Sequence, residues 1–477
     1  MTNLSKFIAR RSFLQKLTAT AAGAALAPYL RPSTAFAEID PTGTRKIQIL
    51  IKIFLSGGPD GLFFFPPKES TRFNALKSQR PTLMGSSSLS QPGDVLEIGS
   101  SYGVHPWLGA LPAMQADSLR SIHQMITDGH GKIIPKLGFP TPDLNHQTAA
   151  DRMNIGATDF NPGSALHWEA RAMREYELQW NQIWLVGLPG GQIPFRAPAG
   201  STPPINARFL SQIQRFSAPG YQSGWQRGRE LGGQPEIGAA QQAIEQLLEL
   251  SDESEISTPK REYKNAMRNA LETTNLIGSI NAISLPSYFS RISDGTSYPH
   301  GISDNIKDIA RVVGFYNASQ STRDRTLLFH FGYFGFDTHE NQANALERLM
   351  KGINHSIAAL RHYLVGLNLW DKTAIQFVGD FGRDVLENPS FGTSHGHGLL
   401  SLVLGGALDP STGVVAGGES LLPGLSELQS PSSIGESRVL SASVDPRDLI
   451  WELLAGLGHN PGRVLSYSPS VNLRLFG

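Results

Sequence analysis

Residues 47–55 form an apolar, β-branched run that stops at Gly57-Gly58-Pro59. A run of that length ending in turn residues predicts a strand buried on both faces, as in a parallel sheet covered by helices. Residues 66–104 are polar and rich in turn formers, and GVHPWLGALPAM (103–114) then resumes an apolar pattern that predicts a helix. From about 237 to 283 the chain has helical periodicity with polar outer faces, which reads either as a helical insertion or cap over about 237–320 or as helices flanking a sheet. The last 150 residues alternate. Strands are predicted at TLLFHFGYF (326–334), TAIQFVGDF (373–381) and LLSLVLGGAL (399–408), with a long helix from about Glu340 to Leu367. A final helix follows Asp445 as N-cap, with Pro446 in its first turn and Gly458 near its end. Strands alternating with helices predict an α/β fold with a doubly wound, mostly parallel sheet.

In such sheets ligands bind beyond the carboxyl ends of the strands. That rule selects Asp60 after the first strand, Asp337 and His339 after TLLFHFGYF, and Asp380 at the end of TAIQFVGDF. His395 and His397 stand in the loop before the next strand.

The first 37 residues have a different character. Arg10 and Arg11 precede Phe13 and Leu14, a weakly apolar run extends from Leu17 to Leu30, and Ala35-Phe36-Ala37 offers small residues for signal peptidase. The run is too short to span a bilayer, so the segment reads as a cleaved twin-arginine export signal, with residues 38–477 as one domain in the periplasm or outside the cell. No transmembrane segment is expected in the mature chain. The formal charge of zero conceals Lys6, Arg10, Arg11, Lys16 and Arg31 in that leader; without them 36 basic residues face 41 acidic ones, a net charge of −5. That balance leaves no footprint for nucleic acid. With 49 Gly, 31 Pro and 40% hydrophobic residues the 477-residue chain is globular and rich in loops. It has no cysteine, which excludes disulfides, thiolate metal sites and cysteine nucleophiles.

Four motifs carry candidate chemistry. In GFDTHENQ, Asp337 and His339 are two residues apart in a turn, where a carboxylate and an imidazole can meet one divalent ion; Asp337 and Glu340 also fit a capping box for the helix that follows. SGGPDGL lacks both the P-loop ending and the dinucleotide-site spacing, which leaves Asp60 as a ligand or as a turn residue capping its own backbone. GTSHG satisfies G-x-S-x-G around Ser394, but a nucleophile elbow follows a strand and opens a helix, and here a strand follows. His395 and His397 share one site if the loop turns at Gly396.

FLSGGPDGL, GVHPWL, NHQTAADRMNIGA, GFDTHENQ, GDFGRDVLEN, GTSHGHGLLSLVLGG and VDPRDLIWELLAGLG occur in the order and spacing of a known family. From about residue 47 to its end the chain resembles the twin-arginine-exported, sulfatase-like domain-of-unknown-function family 1501, which in turn resembles the alkaline phosphatase and sulfatase superfamily. The resemblance implies an alkaline-phosphatase-like sheet with a two-metal site. Asp60, Asp337, His339, Asp380, His395 and His397 would be the ligands of divalent ions such as zinc, manganese or calcium. Asn145 and His146 would stand near the reacting group, and Arg383 would neutralise charge on a small-molecule or polymeric phosphate or sulfate ester. Departures accompany it. Asn145 occupies the place suited to a serine nucleophile, Phe381 replaces a histidine ligand, and Ser394 replaces an acid. Two functions follow, an exported metal-dependent ester hydrolase and a catalytically degenerate relative serving binding or assembly in the cell envelope.

Overall fold

The computed structural model describes residues 46–111, 119–159, 165–175, 182–186, 207–210, 276, 279–291, 302–318 and 325–476. All of these belong to one compact unit, Lys46–Gly477. Strands β1 (Ile49–Ser56), β2 (Gly131–Leu137), β3 (Gln182–Val186), β4 (Ala207–Leu210), β5 (Leu327–Phe334), β6 (Thr373–Gly379) and β7 (Leu399–Leu404) form one mixed sheet in the order β2-β7-β6-β1-β5-β3-β4. Four pairings are parallel, and β7 runs antiparallel to both of its neighbours.

Both faces of the sheet are covered, because alternate residues of β1 enter two cores. Ile49, Ile51, Ile53 and Leu55 join the core that holds helices α1 (Ser70–Gln79), α4 (Ile302–Asn317) and α5 (Gln342–Gly366). Leu50 and Phe54 join the opposite core, with helices α2 (His146–Ile155), α3 (Trp168–Glu175) and α6 (Pro446–Gly456). This is the layered α/β arrangement expected of near-continuous apolar strands. Asp445 caps α6, its carboxylate accepting from the Arg447 amide at 2.9 Å.

Three expectations change. The helix predicted over 103–114 is a single turn, Pro106–Leu108, after a two-residue strand at Gly103–Val104; residues 112–118 lie outside the described residues. Proline opens that turn and Gly109 closes it. Asp337 does not cap α5, which starts at Gln342 behind Asn341 in the left-handed region (φ 45°). Of the helical stretch about 237–320, α4 packs on a sheet face through Ile302, Ile306 and Ile309, whereas 237–275 and the segment 1–37 read as an export signal lie outside the described residues. Among the described residues no helix is long and apolar enough to cross a membrane.

One row of the sheet is polar. Lys52 on β1 pairs in register with His330 on β5 and Gln376 on β6, all three buried. Above them, at the start of α3, the Glu169 carboxylate lies 2.9 Å from Lys52 Nζ and 3.2 Å from His330 Nδ1. Burial favours the neutral acid, but the charge of Lys52 and the proximity of His330 hold the Glu169 carboxyl well below its usual range. Burial pushes His330 and His167 down, so both imidazoles are neutral, and the cluster is one compensated ion pair. It ties together the three strands whose ends carry the candidate site.

Candidate metal site

Because β1, β5 and β6 are parallel, their carboxyl ends share one edge of the sheet. β7 runs the other way, so the loop that leads into it, 391–398, arrives at that same edge. β2 ends there too. A register shift between Ile134 and Leu137, with Pro135 in the strand and Lys136 at φ 38°, breaks its ladder and leads the chain into 138–146. Topology alone therefore brings five distant segments together.

At the centre four side-chain atoms converge. The Nε2 of His395 lies 3.0 Å from the Nε2 of His146 and 3.0 Å from that of His339. Asp337 Oδ1 lies 2.9 Å from His339 Nε2 and 3.4 Å from the Nε2 atoms of His146 and His395. Donor atoms bound at about 2.0–2.2 Å to one ion are separated by about 3–3.5 Å, so these spacings fit a single divalent cation. The four side chains are 25–48% exposed, which leaves one side of the cluster open to solvent.

The surroundings orient and tune the members of this set. His395 Nδ1 lies 2.9 Å from the Leu144 carbonyl, which can only accept, so the proton sits on Nδ1 and the Nε2 lone pair faces the cluster. Burial, together with the charges of His146 and Arg383, holds His395 below its ordinary pKa. His146 is held above its ordinary value, chiefly by its bond to Asp380, against the effect of burial. For Asp337 burial acts upward, yet the bond and charge of Arg383 prevail and keep its carboxyl low.

The remaining expected residues are in different places. Asp60 is buried and fully engaged: Arg80 Nη1 donates to its Oδ2 at 2.7 Å, Gln342 Nε2 to the same oxygen at 2.5 Å, and the Phe63 amide to Oδ1 at 3.3 Å. It is a turn residue joined to a built-in cation, Arg80, and not a ligand of the cluster. His397 is buried and its Nε2 lies 2.8 Å from the Phe139 carbonyl. The loop does not turn at Gly396; it runs extended beside 382–384, with Arg383 bridged to His395. His395 and His397 thus face the 139–144 segment side by side, against different carbonyls. Glycine is needed at 396 because a Cβ there would lie 2.3 Å from the Arg383 carbonyl carbon, and at 57, where φ is 111° and a Cβ would meet the Asp337 amide nitrogen at 2.3 Å.

Arg383 is buried, and all three of its nitrogens donate to protein acceptors: Nε to Gly58 O, Nη1 to Thr393 O, and Nη2 to Phe336 O and Asp337 Oδ1. It fastens three strand ends together and does not reach toward solvent. Asn145 Oδ1 accepts from the Thr148 amide at 3.1 Å, making Asn145 the N-cap of α2 and His146 its first residue. Asp380 stands behind the cluster, its Oδ2 2.5 Å from His146 Nδ1. Phe381 packs on His146 and His395, with ring centroids 4.8 and 4.7 Å away. His146, which the resemblance of NHQTAADRMNIGA implies near the reacting group, contributes its Nε2 to the cluster itself. A second group, His167, Glu169 and His330, has donor atoms within 4.8 Å of one another, but Lys52 already supplies its cation.

Residues 318–467 match the family model described as "Protein of unknown function (DUF1501)", which supports membership of that family. The matched stretch contains Asp337, His339, Asp380, Arg383, His395 and His397, and ends well clear of Asp60, Asn145 and His146. No curated protein matches the chain.

Proposed function

We propose that this protein is an exported metal-dependent hydrolase of phosphate or sulfate esters, with one divalent ion held by His146, His339, His395 and Asp337. The observation that carries the metal reading is the convergence of three imidazole Nε2 atoms and one carboxylate oxygen at 2.9–3.4 Å. The hydrolase reading, the export route and the alkaline-phosphatase-like fold rest on the resemblance of the strand-end motifs. A divalent ion held there would supply Lewis-acid polarisation of an ester oxygen and activation of water. The chain itself contributes an open side for the ester and a rigid frame, since Arg383 and Asp380 lock the ends of β1, β5 and β6. One ion is favoured over two because Arg80 already neutralises Asp60, and Phe381 fills the space beside His146 and His395.

The degenerate envelope-binding alternative is favoured by a separate observation. Asn145 is spent on a helix cap and Arg383 on protein acceptors, so neither offers a nucleophile or a free cation to an ester. Purified mature chain supplied with zinc or manganese should hydrolyse p-nitrophenyl phosphate, bis-p-nitrophenyl phosphate or p-nitrophenyl sulfate, and His395→Ala should abolish turnover. Stoichiometric metal with no turnover on any of the three would support the binding protein instead.

A further inference from the structure

We infer that Asp380 is a positioning residue, which fixes His146 as an Nε2 donor without itself joining the cluster; this rests on the metal reading of that site. Asp380 follows the last residue of β6, its side chain 2% exposed. Its Oδ2 takes the Gly57 amide at 3.2 Å and faces His146 Nδ1 at 2.5 Å. An ionised carboxylate only accepts, so the shared proton belongs to Nδ1 and the imidazole must present Nε2 to Asp337 and His395. The Gly57 amide in turn anchors the carboxylate, and Gly57 sits at φ 111° where other residues are strained. His395 is oriented in the same way by the Leu144 carbonyl. The two supports differ in one useful respect, since only the one on His146 is a side chain that mutation can change. Outer partners of this kind commonly raise metal affinity by about 10–100-fold.

In Asp380→Asn the amide can either donate to or accept from Nδ1, so the tautomer is no longer enforced, whereas Asp380→Glu keeps an acceptor-only group. Zinc affinity of the full mature chain is measured by competition with a chromophoric chelator. The His146 tautomer is read from ring ¹⁵N shifts, with and without zinc, and thermal melts confirm folding. The expected result is roughly 10–100-fold weaker zinc binding in Asp380→Asn, a mixed His146 tautomer in the metal-free protein, and recovery of both in Asp380→Glu. Unchanged affinity with an unchanged tautomer in Asp380→Asn overturns the inference. Lost affinity with an unchanged tautomer also overturns it, because Asp380 would then be a ligand. If the wild-type chain binds no zinc, the metal reading fails, and the tautomer comparison alone still decides the role of Asp380.

Discussion

Glu169→Gln removes the anion from a sealed ion pair and leaves Lys52 without a counter-charge in the apolar layer above the sheet. The Lys52 and Glu169 side chains are 2% and 3% exposed with 2.9 Å between charged atoms. At an effective dielectric of about 20 the attraction at that distance is about 6 kcal/mol. Much of this offsets the desolvation of the two groups, so the pair adds little net stability, but breaking it from one side costs about 3–5 kcal/mol. Lys52→Met should cost a similar amount, by orphaning Glu169 among neutral histidines. The double variant Lys52→Met/Glu169→Gln removes both charges and should recover at least about 2 kcal/mol relative to the sum of the singles. Urea unfolding followed by tryptophan fluorescence measures all three, because Trp168 lies directly against the cluster with Lys52 Nζ 5.6 Å from its ring. Single variants costing less than about 1 kcal/mol, or a strictly additive double variant, would refute the ion-pair description.

Protonation of His105 should weaken the fold in mild acid. Burial pushes its pKa from 6.5 down to about 3, and its Nδ1 accepts the Trp107 amide at 3.2 Å. The unfolded chain takes up this proton below about 6.5 and the folded chain does not until about 3, so this contribution is complete above 6.5 and declines by up to about 1.4 kcal/mol per pH unit as the pH falls through that window. His105→Asn should flatten the dependence of the urea midpoint between pH 7 and 5, and an unchanged slope would contradict the assignment. In the GTSHG loop the glycine should matter and the serine should not. Gly396→Ala drives a Cβ into the Arg383 backbone and should cost about 1–3 kcal/mol together with zinc affinity, whereas Ser394→Ala should shift thermal stability by no more than about 0.5 kcal/mol.

The elements legible in the sequence are those where local pattern and tertiary burial agree. β1, β5 and β6 are apolar runs that end in turn residues, and α6 has both its capping aspartate and its opening proline. Strand direction was not legible in β7, since a strand buried on both faces has the same composition whichever way it runs. The strand-end rule pointed to the edge of the sheet where Asp337, His339 and His395 come together. It failed at Asp60 because the partner that claims its carboxylate, Arg80, comes from the end of another helix and is itself buried. His397 was paired with His395 on a turn at Gly396 that the loop does not make; it runs extended, and only His395 reaches the cluster. His146 was reached only through the resemblance of its motif, since the strand-end pattern does not show that β2 ends at the same edge, which sheet order sets.

The most direct test of the central claim is the number of divalent ions held by the purified, folded chain, measured by elemental analysis and native mass spectrometry after incubation with zinc and removal of the excess. One zinc per chain, retained in Asp60→Asn and His397→Gln but lost in His146→Ala and His395→Ala, is the result that the four-atom cluster predicts. Two ions per chain, or one ion that survives His146→Ala and His395→Ala, would contradict it.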